Sequence, residues 1–139
     1  MIASQQWSGT CDVWLDPPNP PAHADITATT SQVLDGKTTQ IDYRSSVKGK
    51  RSDGVMLVGT DIGNNKPCLT WIDTYHTGGN VMLFATDADG SLIGNWDAGG
   101  EVWRWRIRIE EGDELRIRHF IITPAGEEGP AIEVILRAA

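Results

Sequence analysis

Apolar and polar residues alternate in short segments along most of the chain, and turn-forming residues separate these segments about every 10 to 12 residues. Alternation with a period of two is typical of a strand that buries one face. No segment sustains a helical period, and the proline-rich stretch 17–21 excludes a helix there. The pattern therefore predicts an all-β protein with ten strands, near residues 6–15, 24–34, 38–48, 53–61, 66–76, 80–88, 91–98, 101–110, 114–123 and 131–138.

Four turns set the expected strand registers. Asp35-Gly36, Asp89-Gly90 and Gly99-Gly100 are typical two-residue hairpin turns, and Glu111-Gly112-Asp113 is a three-residue loop. Because a turn fixes its register, it also decides which side chains share a face. The predicted cross-strand pairs include Ala28 with Tyr43, Leu83 with Trp96, Trp96 with Trp103, Ile107 with Ile117, and Trp105 with His119.

In the second half of the chain these registers predict one apolar face and one charged face. Continuous antiparallel neighbours with a single apolar face favour an up-and-down barrel, although a two-sheet sandwich stays open as the alternative. The expected inner face carries Leu83, Ala85, Gly94, Trp96, Trp103, Trp105, Ile107, Ile109, Leu115, Ile117, His119 and Ile121. The expected outer face carries Arg104, Arg106, Arg108, Arg116 and Arg118, with Arg108 opposite Arg116 and Arg106 opposite Arg118.

Composition narrows the expected partners. The 139 residues suit a single domain spanning 1–139, and the formal charge of -7 argues against a nucleic-acid partner. The chain has no apolar run long enough for a membrane helix, and residues 1–7 lack the features of a signal peptide. We therefore expect a cytoplasmic protein in which Cys11 and Cys68 are reduced and unpaired.

Four short motifs occur in an order that resembles one protein family. The first to note is Trp71-Ile72-Asp73-Thr74-Tyr75-His76, and Ile41-Asp42-Tyr43 precedes it. Near the ends lie Trp7-Ser8-Gly9-Thr10 with Trp14-Leu15 and Pro17, and Thr123-Pro124 with Gly126-Glu127-Glu128. Together they resemble a family of small bacterial proteins, the domain of unknown function 1579, whose members often have tryptophan where this chain has Tyr75. The resemblance implies a lipocalin-like or fatty-acid-binding-protein-like β-barrel and no particular activity.

Asp73 and His76 are the first candidates for a site, because a histidine beside a carboxylate can act as a general acid and base. On a regular strand their odd separation would point them to opposite faces. They can meet only if the strand ends or bulges near Thr74, which the following turn at residues 77–80 permits. No nucleophile, phosphate-binding or metal-ligand motif accompanies them, so the sequence proposes no reaction.

His119 is the second candidate, since the register places it on the inner face among tryptophans. Such a histidine suits a haem ligand, while the alternative is a neutral core histidine bonded to one polar neighbour. The same face could instead hold a fatty acid or a flat aromatic molecule. The candidate ligand-binding residues are Tyr43, Trp71, Asp73, His76, Trp96, Trp103, Trp105 and His119, with no metal site.

Three functions remain open from the sequence. The first is a barrel that binds a small apolar or amphipathic molecule in its interior, with no resident cofactor unless haem binds through His119. The second is an enzyme of unknown reaction that uses Asp73 and His76. The third is a dimerising interaction module whose outer patch comprises Met82, Phe84, Ile93, Phe120 and Ile122.

Overall fold

The computed structural model of the protein describes residues 2–139, which form strands and no helix. The ten predicted strands are present, and a two-residue strand is added after the third. The strands are β1 (Gln5–Val13), β2 (Ala22–Val33), β3 (Thr38–Val47), β4 (Lys50–Arg51), β5 (Gly54–Thr60), β6 (Pro67–Asp73), β7 (Met82–Thr86), β8 (Leu92–Ala98), β9 (Glu101–Glu110), β10 (Leu115–Ile122) and β11 (Glu128–Ala138).

The strands form a closed antiparallel barrel. Each long strand pairs with its neighbour in the chain, β1 also pairs with β11, and the β2–β3 pairing completes the ring. The short β4 pairs only with the end of β3 and stands outside this ring. The predicted up-and-down barrel is therefore confirmed, and the sandwich alternative is wrong, because closure leaves no pair of separate sheets.

Two of the predicted turns fix the registers as expected. Ala28 lies opposite Tyr43 across the Asp35-Gly36 turn, where both turn residues have positive φ. Trp96 lies opposite Trp103 across Gly99-Gly100, and both glycines again have positive φ. Positive φ at both central positions is the geometry that matches the twist of paired strands.

The Asp89-Gly90 register was wrong by one residue. The loop contains three residues, 88–90, because the Asp87 N–H donates to the Ser91 carbonyl, and Ala85 consequently pairs with Ile93. A shift of one residue exchanges the two faces of a strand. Leu83 and Ala85 therefore face outward, with Leu83 71% exposed, and Phe84 faces the core at 3% exposed.

The β9–β10 register was wrong by two residues. Pairing starts at Glu110 and Arg116, so the loop is longer than the predicted three residues, and His119 lies opposite Ile107 rather than Trp105. Because the shift is even, each side chain keeps its predicted face. The pairs of arginines also change: Arg108 lies opposite Arg118, and Arg116 lies opposite Glu110.

The outer surface differs from the expected apolar dimer patch. Phe84 and Ile122 are buried at 3% and 2% exposure, so the five predicted patch residues do not share one outer face. The arginines do lie outside, where Arg106 binds Asp89 and Glu128, and Arg108 also binds Asp89. These carboxylates offset the like charges along the ladder, and a homodimer stays a prediction.

The interior is filled unequally from one end to the other. At the end near the β2–β3 turn, the N-terminal segment closes the barrel, with Ile2 buried and its carbonyl bound by the Gln32 side chain. The opposite end, which we call the His76 end, is bordered by residues 14–21, 48–53, 74–81, 99–100 and 123–127.

Cys11 is buried and Cys68 half-buried, and both are free thiols. Within residues 2–139 no helix has the length and apolar character to cross a membrane.

Candidate functional site

The Asp73 carboxylate organises the loop at the His76 end. Strand β6 ends at Asp73, and Oδ1 of this residue accepts the backbone N–H groups of Tyr75, His76 and Thr77 at 3.2, 2.7 and 2.7 Å. The Thr77 hydroxyl binds back to the Asp73 N–H and carbonyl. A carboxylate with this many donors is a common way to hold a turn after a strand. Because β6 ends at Asp73, the regular strand that would separate Asp73 and His76 stops before His76, and the loop brings the two side chains together.

A series of side-chain hydrogen bonds spans β5 and ends at the same carboxylate. The Trp71 indole N–H donates to the Tyr43 hydroxyl at 2.9 Å, and this hydroxyl donates to Oδ2 of Asp73 at 3.0 Å. Trp71 is 1% exposed and Asp73 is 4% exposed. These bonds thus satisfy three polar groups from two strands, β3 and β6, which lie on either side of β5.

The space for these side chains is supplied by Gly54 of β5, which pairs with both Tyr43 and Asp73. A Cβ at Gly54 would lie 2.3 Å from the Tyr43 hydroxyl oxygen and 2.7 Å from Cβ of Asp73. An aromatic ring can pack this closely over a strand only where the strand residue has no side chain. Gly54 was not among the predicted site residues, although a glycine inside a strand pattern signals such a close approach.

His76 follows β6 on the loop and lies among aromatic rings. Its ring centroid is 6.0 Å from that of Trp71, 5.9 Å from that of Trp105 and 4.9 Å from that of Tyr75. Its Nδ1 lies 3.4 Å from Oδ2 of Asp73 and makes no hydrogen bond, although that nitrogen is buried. A buried polar atom without a partner is unusual in a native protein and suggests a role in binding.

The remaining predicted aromatic residues form one contiguous group with His119. The Trp105 indole N–H donates to Nδ1 of His119 at 2.9 Å, and Trp71 packs 4.9 Å from the His119 ring. Trp96 contacts Trp105 at 5.9 Å and stacks on Trp103 at 6.1 Å. Trp96 and Trp103 are half-buried, so this group reaches from the core towards the His76 end.

Burial and hydrogen bonds set the protonation of His119, Tyr43 and Asp73 in the lumen. It lowers the pKa of His119 to about 3, with His76 adding to the effect and Asp73 opposing it. Burial and the Asp73 charge raise the pKa of Tyr43 well above its ordinary value. For Asp73, burial acts to raise the pKa, but the His76 ring, the Thr77 N–H and the Tyr43 hydroxyl outweigh it, and the pKa is lowered. The lumen therefore holds a neutral histidine, a protonated tyrosine and an ionised aspartate.

A cavity of about 30 Å³ lies between this polar group and an aliphatic wall. Tyr43, Asp73, His76 and His119 contribute polar groups to its lining, whereas the predicted residues Trp71, Trp96, Trp103 and Trp105 do not line it. Trp71 and Trp105 contact the rings of His76 and His119 from outside the lining. The opposite wall includes Val13, Ile26, Ala28, Ile132 and Val134. A void of this size holds about two water molecules.

Haem does not fit the residues around His119. Pockets for molecules of that size enclose roughly 300 to 1,000 Å³, whereas the cavity beside His119 has about 30 Å³. His119 also already accepts the Trp105 N–H, which is the bonded core histidine that the sequence analysis gave as the alternative. Within residues 2–139, no three His, Cys, Asp or Glu side chains are grouped so that they could hold a metal ion.

A separate open groove of about 1190 Å³ lies on the outer faces of β1, β2, β3, β5 and β6. Exposed Thr27, Thr29 and Arg44 and half-buried Asp42 contribute to it. It shares the backbone around Asp73 with the lumen. The unpartnered histidine nitrogen and the aromatic rings nevertheless lie inside the barrel, so the chemistry favours the lumen.

Replacing Gly54 with alanine tests the close approach of Tyr43. We expect a loss of about 2 to 4 kcal/mol in the free energy of unfolding, because the new Cβ displaces the ring and breaks its hydrogen bonds. Gly59→Ala in the same strand is the control, since its Cβ would lie 3.8 Å or more from its neighbours. Urea unfolding measures both variants, and equal losses would contradict the packing argument.

Comparisons with known proteins agree with this fold. No functionally curated protein matches the chain. One family model, described as a protein of unknown function (DUF1579), matches residues 5–137, which is nearly the whole chain. The barrel also agrees with the lipocalin-like fold that the sequence resemblance implied. The chain therefore belongs to the DUF1579 family.

Proposed function

We propose that the barrel binds a small amphipathic molecule in its lumen at the His76 end. The observation that carries this proposal is the cavity itself, which has an aliphatic wall on one side and Tyr43, Asp73, His76 and His119 on the other. Mostly apolar walls with a few convergent polar groups are characteristic of small-molecule sites. The opposite end is closed by the N-terminal segment, so a ligand enters past the loop at residues 74–81.

The present cavity limits the size of the ligand and requires some movement on binding. About 30 Å³ accommodates water-sized groups, so the apolar part of a ligand must displace a lining side chain. His76 is the lining residue best suited to move, because it lies on a loop and its ring makes no hydrogen bond. Strand residues on the aliphatic wall are fixed by the barrel ladder.

Hexan-1-ol, a neutral amphipathic probe, tests the proposal. In methyl NMR spectra we expect saturable shifts at Ile26, Ile132 and Val134, which line the cavity. Ala28→Val should weaken binding by about tenfold or more, because added methyl groups fill the site. Ala85→Val, the same change on the exposed face of β7, should bind like the wild type.

Two results would overturn the proposal. One is the absence of saturable shifts at the lumen methyl groups. The other is a response confined to exposed apolar side chains such as Leu83 and Val102, which would place the alcohol on the outer surface.

A further inference from the structure

The charge inside the barrel differs in sign from that of a carboxylate-binding site. Asp73 is ionised, and no lysine or arginine lines the cavity. The arginines of β9 and β10 face outward and bind surface carboxylates instead, as Arg106 does with Glu128 and Arg118 does with Glu110. A buried anion needs an opposite charge or several donors. The charge of Asp73 therefore repels a fatty acid or other carboxylate, and no lysine or arginine of the lining offsets it.

The position of the His76 ring has the features of a cation site. Rings of Trp71, Tyr75 and Trp105 surround it at 4.9 to 6.0 Å between centroids, within the range of cation–π attraction. Asp73 provides the opposite charge on the remaining side, 3.4 Å from Nδ1. Aromatic faces together with a carboxylate are the groups that proteins use to hold ammonium ligands.

We propose that the His76 end takes a small cationic amphiphile, a protonated primary amine, whose ammonium group replaces the His76 ring between Trp71, Trp105 and Asp73. This inference rests on the proposed function and names its ligand class. The ammonium donates to Oδ2 of Asp73, which accepts the Tyr43 hydroxyl and has a second lone pair free. The apolar body then lies along the aliphatic wall.

Displacement of His76 leaves the loop intact. Its backbone N–H bonds to Oδ1 of Asp73, and this bond does not depend on where the ring points. The ring's one polar contact is that of Nδ1 with Oδ2 of Asp73 at 3.4 Å, and the ammonium group takes its place. Departure of the ring enlarges the cavity of about 30 Å³ at the end where a ligand enters.

Three probes with the same apolar body separate this inference from the proposed function. Hexylamine, hexan-1-ol and hexanoate carry a positive, neutral and negative head at about pH 7. We expect hexylamine to bind at least about tenfold more tightly than hexanoate in methyl NMR titrations, because a charge a few Å from Asp73 is strongly felt in a poorly solvated site. If hexan-1-ol binds but hexanoate binds as tightly as hexylamine or more tightly, the inference is overturned and the proposed function stands. No binding of any probe would overturn both.

Two substitutions should change the amine affinity in opposite directions. His76→Ala removes the group that competes for the site, so hexylamine should bind more tightly, by about tenfold. Asp73→Asn keeps an oxygen for the loop but removes the charge, so the preference for hexylamine over hexanoate should disappear. His23→Ala is the control, because His23 also pairs with a carboxylate, Asp12, on the exposed surface. Weaker hexylamine binding by His76→Ala, or an unchanged preference in Asp73→Asn, would contradict the proposed ammonium position.

Discussion

The Asp73→Ala variant should lose about 3 to 5 kcal/mol in the free energy of unfolding, which is a large part of the stability of a small domain. The carboxylate accepts three backbone N–H groups of the loop and the hydroxyl of Tyr43. Its removal leaves these donors without a partner in a buried setting, where each lost charged hydrogen bond is costly. Urea unfolding monitored by tryptophan fluorescence measures the loss.

Asp73→Asn separates the geometric role of this residue from its charge. Asparagine keeps one oxygen for the three loop N–H groups. The amide nitrogen that replaces Oδ2 only donates, so it cannot accept the Tyr43 hydroxyl proton. We expect this variant to lose about 1 to 2 kcal/mol, clearly less than alanine. Equal losses in the two variants would show that the loop N–H groups do not depend on the Asp73 oxygen.

The fold followed from the sequence because the strand signals are strong and local. Ten alternating segments separated by glycine and aspartate turns predicted the barrel, in which every pairing of long strands except β1–β11 joins strands that follow one another in the chain. The error at Asp89-Gly90 has a definite cause: the dipeptide suits a two-residue turn, yet the glycine takes its positive φ at the last position of a three-residue loop. Turn composition alone does not distinguish these two loops, and Phe84 was consequently assigned to the wrong face.

The candidate site was predictable in its members but not in its arrangement. Inward-facing tryptophans and the Asp73–His76 pair can be recognised from face and spacing. Asp73 and His76 line the cavity, Trp71 and Trp105 belong to the core, and Trp96 packs against it. The Tyr43–Asp73 bond spans 30 positions and depends on the absence of a side chain at Gly54. The contact results from the β3–β5 and β5–β6 pairings, which bring both residues beside Gly54. No local pattern around Tyr43 or Asp73 reveals these two registers.

The wild-type protein should become less stable as the pH falls from about 7 to 5, and His119 should cause about 2 kcal/mol of that loss. The pKa of His119 in the folded protein is about 3, below its ordinary value of 6.5 in an unfolded chain. The unfolded state therefore binds a proton in this range while the folded state does not. The contribution of His119 to stability is therefore complete above the pKa that this histidine has in the unfolded chain. It is lost as the pH falls towards the pKa that His119 has in the folded protein.

His119→Asn isolates this contribution. The asparagine carbonyl can accept the Trp105 N–H that Nδ1 of His119 accepts now, but it does not titrate. The variant will be less stable at every pH because a smaller side chain leaves space in the core. Its free energy of unfolding should nevertheless fall by about 2 kcal/mol less than that of the wild type between these pH values. Urea unfolding at each pH gives both slopes, and parallel slopes would mean that His119 takes up its proton without unfolding.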